Sequence, residues 1–158
     1  MLGIASACLV AVATLSIASA MESPMTGPKD TREVVSPGKV DDDAPKAFKT
    51  TESGLKYRVL RKGDGDKKPS PTDRVTVHYK GWLDNGTIFD SSYRRGETIA
   101  FGLNQVIPGW TEGMQLVSEG GMIELEIPSK LGYGPRGMPP TIPGGATLHF
   151  IVELKKIN

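Results

Sequence analysis

Apolar and polar positions alternate with a period of two in four separated stretches. Leu55, Tyr57 and Val59 alternate with Lys56 and Arg58, and Val75, Val77 and Tyr79 with Thr76, His78 and Lys80. Ile123, Leu125 and Ile127 alternate with Glu124 and Glu126, and Leu148, Phe150, Val152 and Leu154 with His149, Glu153 and Lys155. Such alternation predicts strands with one face buried and one face wet. Asp84-Asn85-Gly86-Thr87 predicts a two-residue hairpin turn, because Asn-Gly accepts positive φ at little cost. Only residues 108 to about 117 read as helical: Pro108 suits a first turn, and Trp110, Met114 and Val117 fall on one face at spacings of four and three. The fold class predicted is α+β, one short helix against a mainly antiparallel sheet. No internal repeat interrupts it.

Residues 21–50 carry no apolar period and are rich in Pro, Lys, Asp and Thr, with the charge run Asp41-Asp42-Asp43. Composition of this kind predicts a flexible polar tether, because too little apolar surface is available to offset the entropy of ordering. Residues 1–20 are different. They contain no charged side chain, and an apolar run from Ile4 to Ile17 leads into Ala18-Ser19-Ala20. This matches a secretory signal peptide with a small-x-small cleavage site, although no Lys or Arg precedes the run. The run is shorter than the ~20 apolar residues of a membrane span. An exported protein, periplasmic or secreted, is expected, or a membrane-anchored one if the segment stays uncleaved. Cleavage would remove Cys8, the sole cysteine, and with it any thiol nucleophile or thiolate metal site.

Net charge is +1 with Lys, Arg, Asp and Glu interspersed, so the basic stripe of a nucleic-acid binder is absent. The chemistry-bearing motifs mislead. Gly132-Tyr133-Gly134-Pro135-Arg136-Gly137 fits GxGxxG, but Met138-Pro139-Pro140 follows where a dinucleotide site needs a helix. Asn85-Gly86-Thr87 fits a glycosylation sequon but is explained by the hairpin. His78 and His149 fall on wet strand faces, no third residue has metal-ligand spacing, and Glu124 and Glu126 read as a solvated face. No cofactor is expected. What remains is an aromatic set, Tyr79, Phe89, Phe101, Trp110, Tyr133 and Phe150, with Asp90 directly after Phe89. Core packing accounts for most such rings. Tyr and Trp nevertheless need polar partners when buried, and a buried Asp is costly unless hydrogen-bonded.

Val77-His78-Tyr79-Lys80-Gly81, Gly86-Thr87-Ile88-Phe89-Asp90-Ser91-Ser92, Val106-Ile107-Pro108-Gly109-Trp110, Gly132-Tyr133-Gly134, Ile142-Pro143 and Ala146-Thr147-Leu148-His149-Phe150 together resemble the FKBP-type peptidyl-prolyl cis-trans isomerases. The resemblance runs in order through residues 51–158 and omits the tether. It implies an isomerase domain in which a curved antiparallel sheet of about five strands wraps around one short helix, with a proline-accepting pocket between them. Trp110 would be the floor, Tyr79, Phe89, Val106, Ile107 and Phe150 the walls, and the loop 129–145 the overhang. The Ile107 N–H and the Tyr133 hydroxyl would donate to substrate carbonyls. Asp90, held by Tyr79 and Arg95, would contact the ligand; Tyr79, Asp90 and Tyr133 form the implied catalytic set, and Ile99 and Ile142 complete the implied binding set. Ile99 stands where many relatives carry an aromatic, Met138 and Thr141 lie where the loop tip varies, and Gly144-Gly145 replaces a stiffer pair. The partners implied are proline-containing segments of client proteins and, as a further ligand class, macrolide inhibitors. A monomer is expected. Two other readings stand beside this one: a binding or chaperone module with incidental isomerase activity, and a purely structural domain, which leaves Phe89-Asp90 and Tyr133 without a reason.

Overall fold

The computed structural model describes residues 26–158. Its strands are β1 (Lys49–Thr50), β2 (Lys56–Arg61), β3 (Arg74–Leu83), β4 (Ile88–Ser91), β5 (Ile99–Gly102), β6 (Met122–Ile127) and β7 (Leu148–Ile157). They form one antiparallel sheet in the order β1-β2-β6-β7-β3-β4, with β5 pairing the other end of β3. The sheet therefore has seven strands rather than about five; β1 and the short β4 and β5 are too brief for alternation to reveal. Two helices accompany it, α1 (Ser92–Arg95) and α2 (Pro108–Met114). The latter begins at the predicted proline and ends three residues before Val117.

The inner face is the one that alternation predicts. Val75, Val77 and Tyr79 from β3, Ile123, Leu125 and Ile127 from β6, and Leu148, Phe150, Val152 and Leu154 from β7 form one cluster with Trp110, Met114 and Val117. Cross-strand register brings these side chains side by side: Tyr79 faces Val152 and Val77 faces Leu154. Burying each such side chain contributes roughly 1.5–3 kcal/mol. A seven-residue helix is too short to persist alone, so α2 depends on this packing. The hairpin between β3 and β4 is looser than expected. Leu83 and Thr87 close a three-residue loop, with the Gly86 N–H donating to the Leu83 carbonyl at 2.8 Å. Gly86 alone takes positive φ, 80°, as a type I turn followed by a left-handed glycine requires.

The outer face departs from expectation, and so does the segment preceding the domain. Residues 26–48 are no loose tether; they run as a strap across the side of the sheet opposite α2. The Gly38 N–H donates to Glu153 at 2.9 Å, the Asp41 N–H to the Leu60 carbonyl at 2.8 Å, and Arg58 and Arg61 donate to the Lys46 and Lys39 carbonyls. Phe48 lies under the Arg58 guanidinium. Beneath the strap a second apolar cluster joins Leu60, Trp82, Tyr93, Met122 and Ile151.

Part of the outward charge is consequently buried, while Glu126 and its partner Lys56 stay in reach of water. Glu124 is buried and takes a 2.6 Å hydrogen bond from Arg58, while Glu126 pairs with Lys56 at 2.7 Å. His78 stacks on Tyr93 and His149 on Trp82. Composition failed here because the strap is ordered by charges and backbone partners already fixed on the sheet, not by apolar surface of its own.

Candidate active site

A cavity of about 590 Å³ opens between the inner face of the sheet, α2 and the loop after β6. Its floor is Trp110. The indole is 4% exposed and meets Tyr79, Phe101 and Phe150 edge-on, with ring centroids 5.3, 5.7 and 5.4 Å away. These T-shaped contacts suit the ring quadrupoles, so the surrounding rings hold the indole at a fixed tilt. Phe89 stands edge-on to Phe150 at 5.5 Å. Gly81 makes room for that pair: a Cβ there would lie 2.6 Å from both rings.

Val106, Ile107, Gln105, Met138 and Thr141 complete the lining. Ile107 is the residue before α2; its carbonyl accepts from the Trp110 N–H at 2.9 Å, which sets the indole below it. The Ile107 N–H itself has no hydrogen-bond partner among the described residues, and neither has the hydroxyl of Tyr133, which is 38% exposed at the rim. Tyr133 hangs there because a 3-10 turn, Ser129–Leu131, precedes it and a second, Gly134–Arg136, follows. No α-helix follows the GxGxxG residues, in keeping with a loop.

One wall is polar. Asp90 accepts from the Tyr79 hydroxyl through Oδ2, and through Oδ1 from Arg95 Nη1 at 2.7 Å and from the Ser91 N–H at 2.8 Å. Arg95 Nη2 also reaches the Tyr79 hydroxyl at 3.3 Å. Burial works to raise the Asp90 pKa, but the hydrogen bonds from Tyr79 and Arg95 outweigh it and the carboxyl sits below its ordinary range. The Tyr79 phenol moves the other way, pushed up to about 12 by burial and by the adjacent carboxylate. The pair is therefore a neutral phenol donating to a carboxylate across the physiological range.

Of the residues singled out in the sequence, Tyr79, Phe89, Asp90, Val106, Ile107, Trp110, Tyr133 and Phe150 all line this cavity, and Arg95 stands behind Asp90. Ile99 and Ile142 do not line it. Ile142 is 1% exposed within the main core, and Ile99 packs half-buried against that core opposite Val77. The wall position falls instead to Phe101, two residues along the same strand face. Gln105 was not singled out, and no local pattern marks it. Among the described residues no group of three His, Cys, Asp or Glu is arranged to hold a metal, and no helix is long and apolar enough to cross a membrane. The apolar start, with Cys8, lies outside the described residues.

The family model described as FKBP-type peptidyl-prolyl cis-trans isomerase matches residues 65–155. The chain belongs to this family. Among FKBP relatives, a probable FKBP-type isomerase of Haemophilus influenzae is 51% identical over 113 residues, covering 72% of this chain and 46% of the relative. The crystal structure of FkpA from Escherichia coli superposes with a TM-score of 0.69 at 47% identity, covering 72% of this chain and 53% of that one. AtFKBP13 superposes with a TM-score of 0.64 at 33% identity, covering 71% and 99%. This FKBP chain thus spans about half the length of the curated relatives it matches.

Proposed function

We propose that the protein catalyses cis–trans rotation about Xaa-Pro peptide bonds and that the Trp110 cavity is where it does so. The observation that carries this reading is the pairing of an aromatic floor and walls with two unengaged donors at the rim, the Ile107 N–H and the Tyr133 hydroxyl. Rotation about a peptide bond faces a barrier of ~18–20 kcal/mol because amide resonance must be broken, and the uncatalysed prolyl process takes ~10–100 s. The twisted amide carries less separated charge than the planar one, so an apolar cavity disfavours the planar ground state relative to it. Donors that fit the carbonyl only when it has turned act in the same direction. A thousandfold acceleration requires ~4 kcal/mol, within reach of one or two hydrogen bonds of ~0.5–1.5 kcal/mol each together with desolvation.

In this reading the proline ring sits on Trp110 between Tyr79, Phe89 and Phe150. Ile107 and Tyr133 take the flanking carbonyls, and Asp90 fixes the polar wall against the turning amide. The chemistry has no covalent step. The substrates are proline-containing segments of client proteins. Clients outside the cytoplasm follow from the apolar run Ile4 to Ile17 and the Ala18-Ser19-Ala20 site; the mass of the protein recovered from the exported fraction checks this. The activity is tested by exchange of a short Xaa-Pro peptide, where a rate equal to that in buffer would refute it.

A further inference from the structure

The strap reaches the cavity through one short helix. On its outer side α1 is held by the strap. The Arg94 guanidinium donates to Asp30, whose side chain is 4% exposed, and the Val34 and Val35 N–H groups both donate to the Tyr93 carbonyl, at 3.1 and 3.3 Å. Beside it the buried Lys80 ammonium donates to the Pro28 carbonyl at 2.9 Å and lies 3.0 Å from Glu33. On its inner side the next residue, Arg95, holds both Asp90 and the Tyr79 hydroxyl. Four residues make one turn, too little to keep a helix in place by itself. Its orientation is therefore set from outside, by Ser92 against β3 and by the strap against Arg94 and Tyr93. Without Asp30, the mostly buried Arg94 guanidinium would lose its counter-charge, and an unpaired charge of that kind moves toward water. α1 and Arg95 would move with it.

We infer that Asp30 is a positioning residue for the cavity, holding Arg95 on Asp90 through Arg94 and α1. The inference rests on the isomerase reading of the cavity given above.

The test is a double-mutant cycle in the full chain, read both as kcat/KM for an Xaa-Pro peptide and as Tm. Asp30→Asn is expected to lower kcat/KM about threefold or more, the scale of coupling within one hydrogen-bond network. In an Arg95→Ala background it should lower kcat/KM no further, while the drop in Tm is the same in both backgrounds. Asp30→Glu, which keeps the charge, should recover most of the rate, and Asp43→Asn, at the exposed strap pair with Lys62, should leave it unchanged. Should Asp30→Asn fail to fold, Arg94→Lys enters the same cycle with the same expectation. An equal fold-loss in both backgrounds, or no loss in the wild-type background, overturns the inference. A wild-type rate in Arg95→Ala alone overturns it together with the role given to the Asp90–Arg95 pair. A slow Arg95→Ala beside a fast Asp30→Asn overturns the strap inference only.

Discussion

The Tyr79 hydroxyl donates to the Asp90 carboxylate across the cavity wall, and Arg95 contacts both. Tyr79 also meets the Trp110 floor edge-on. One phenol thus ties the polar wall to the apolar floor, and a change to either partner reaches the other.

Asp90→Leu and Tyr133→Phe should lower kcat/KM far more than stability. Asp90 is partly exposed and Tyr133 lies at the rim, so neither is a large part of the core. A tenfold or greater loss of rate is expected, ~1.4 kcal/mol of transition-state stabilisation, with Tm within a few degrees of wild type. Parallel losses in rate and melting measurements would make these residues structural.

The pH profile of kcat/KM should be flat between about pH 5 and 9. The Asp90 pKa is lowered, so the carboxylate stays charged above its ordinary range and is lost only as pH falls through the lowered value. The Tyr79 phenol, at about 12, does not ionise in that window. A step in the profile near neutrality would assign the activity to another group.

Trp110→Leu should abolish tight binding of a proline peptide and leave a folded protein. Trp110→Ala is the poorer probe, since truncating a buried Trp costs about 3–5 kcal/mol through the cavity it leaves. Full binding by the Leu variant, measured calorimetrically, would remove Trp110 from the floor of the site.

Glu153 should make stability acid-sensitive. Its side chain is 1% exposed and accepts from Arg61, Lys155, the Gly38 N–H and the Tyr93 hydroxyl. Burial opposes its charge, but these partners prevail and hold the pKa at about 2, against 4.5 for an ordinary Glu. A pKa depressed on folding gives stability that is complete above the unfolded value and fades as pH drops toward the folded one. The contribution is about 3 kcal/mol at neutral pH. Urea unfolding of Glu153→Gln should show a deficit at pH 7 that narrows between about pH 4.5 and 2; a deficit independent of pH would mean packing, not charge.

Deleting residues 21–48 should lower Tm by several degrees, because it strips partners from the buried Lys80 and Glu153 and from Arg58 and Arg94. A tether would be dispensable, and an unchanged Tm on scanning calorimetry would restore that reading.

The inner face of the sheet was legible because each strand placed its apolar residues on one side, and one face of a sheet needs nothing else to define it. The outer face was not. Lys80, Glu124 and Glu153 are charged and alternate with core residues, so they read as wet; their burial comes from residues 26–48, tens of positions away along the chain. The site divides in the same way. Tyr79, Trp110 and Phe150 were legible as rings on core-facing positions, and Asp90 as a carboxylate that needed partners. Ile99 and Phe101 share a strand face, and sequence could not choose between them. Phe101 lines the cavity through its ring, whose centroid lies 6.0 Å from Tyr79 and 5.7 Å from Trp110, while Ile99 packs against the core opposite Val77. Ile142 sits in an overhanging loop, yet its side chain turns into the core rather than the cavity.

The central claim is that the Trp110 cavity turns prolyl bonds, and the most direct measurement is the cis–trans exchange rate of an Xaa-Pro peptide with wild type and Asp90→Leu side by side. The account predicts exchange well above the buffer rate with wild type and an acceleration at least about tenfold smaller with a folded Asp90→Leu. Exchange at the buffer rate with wild type, or an undiminished rate in Asp90→Leu, would contradict it.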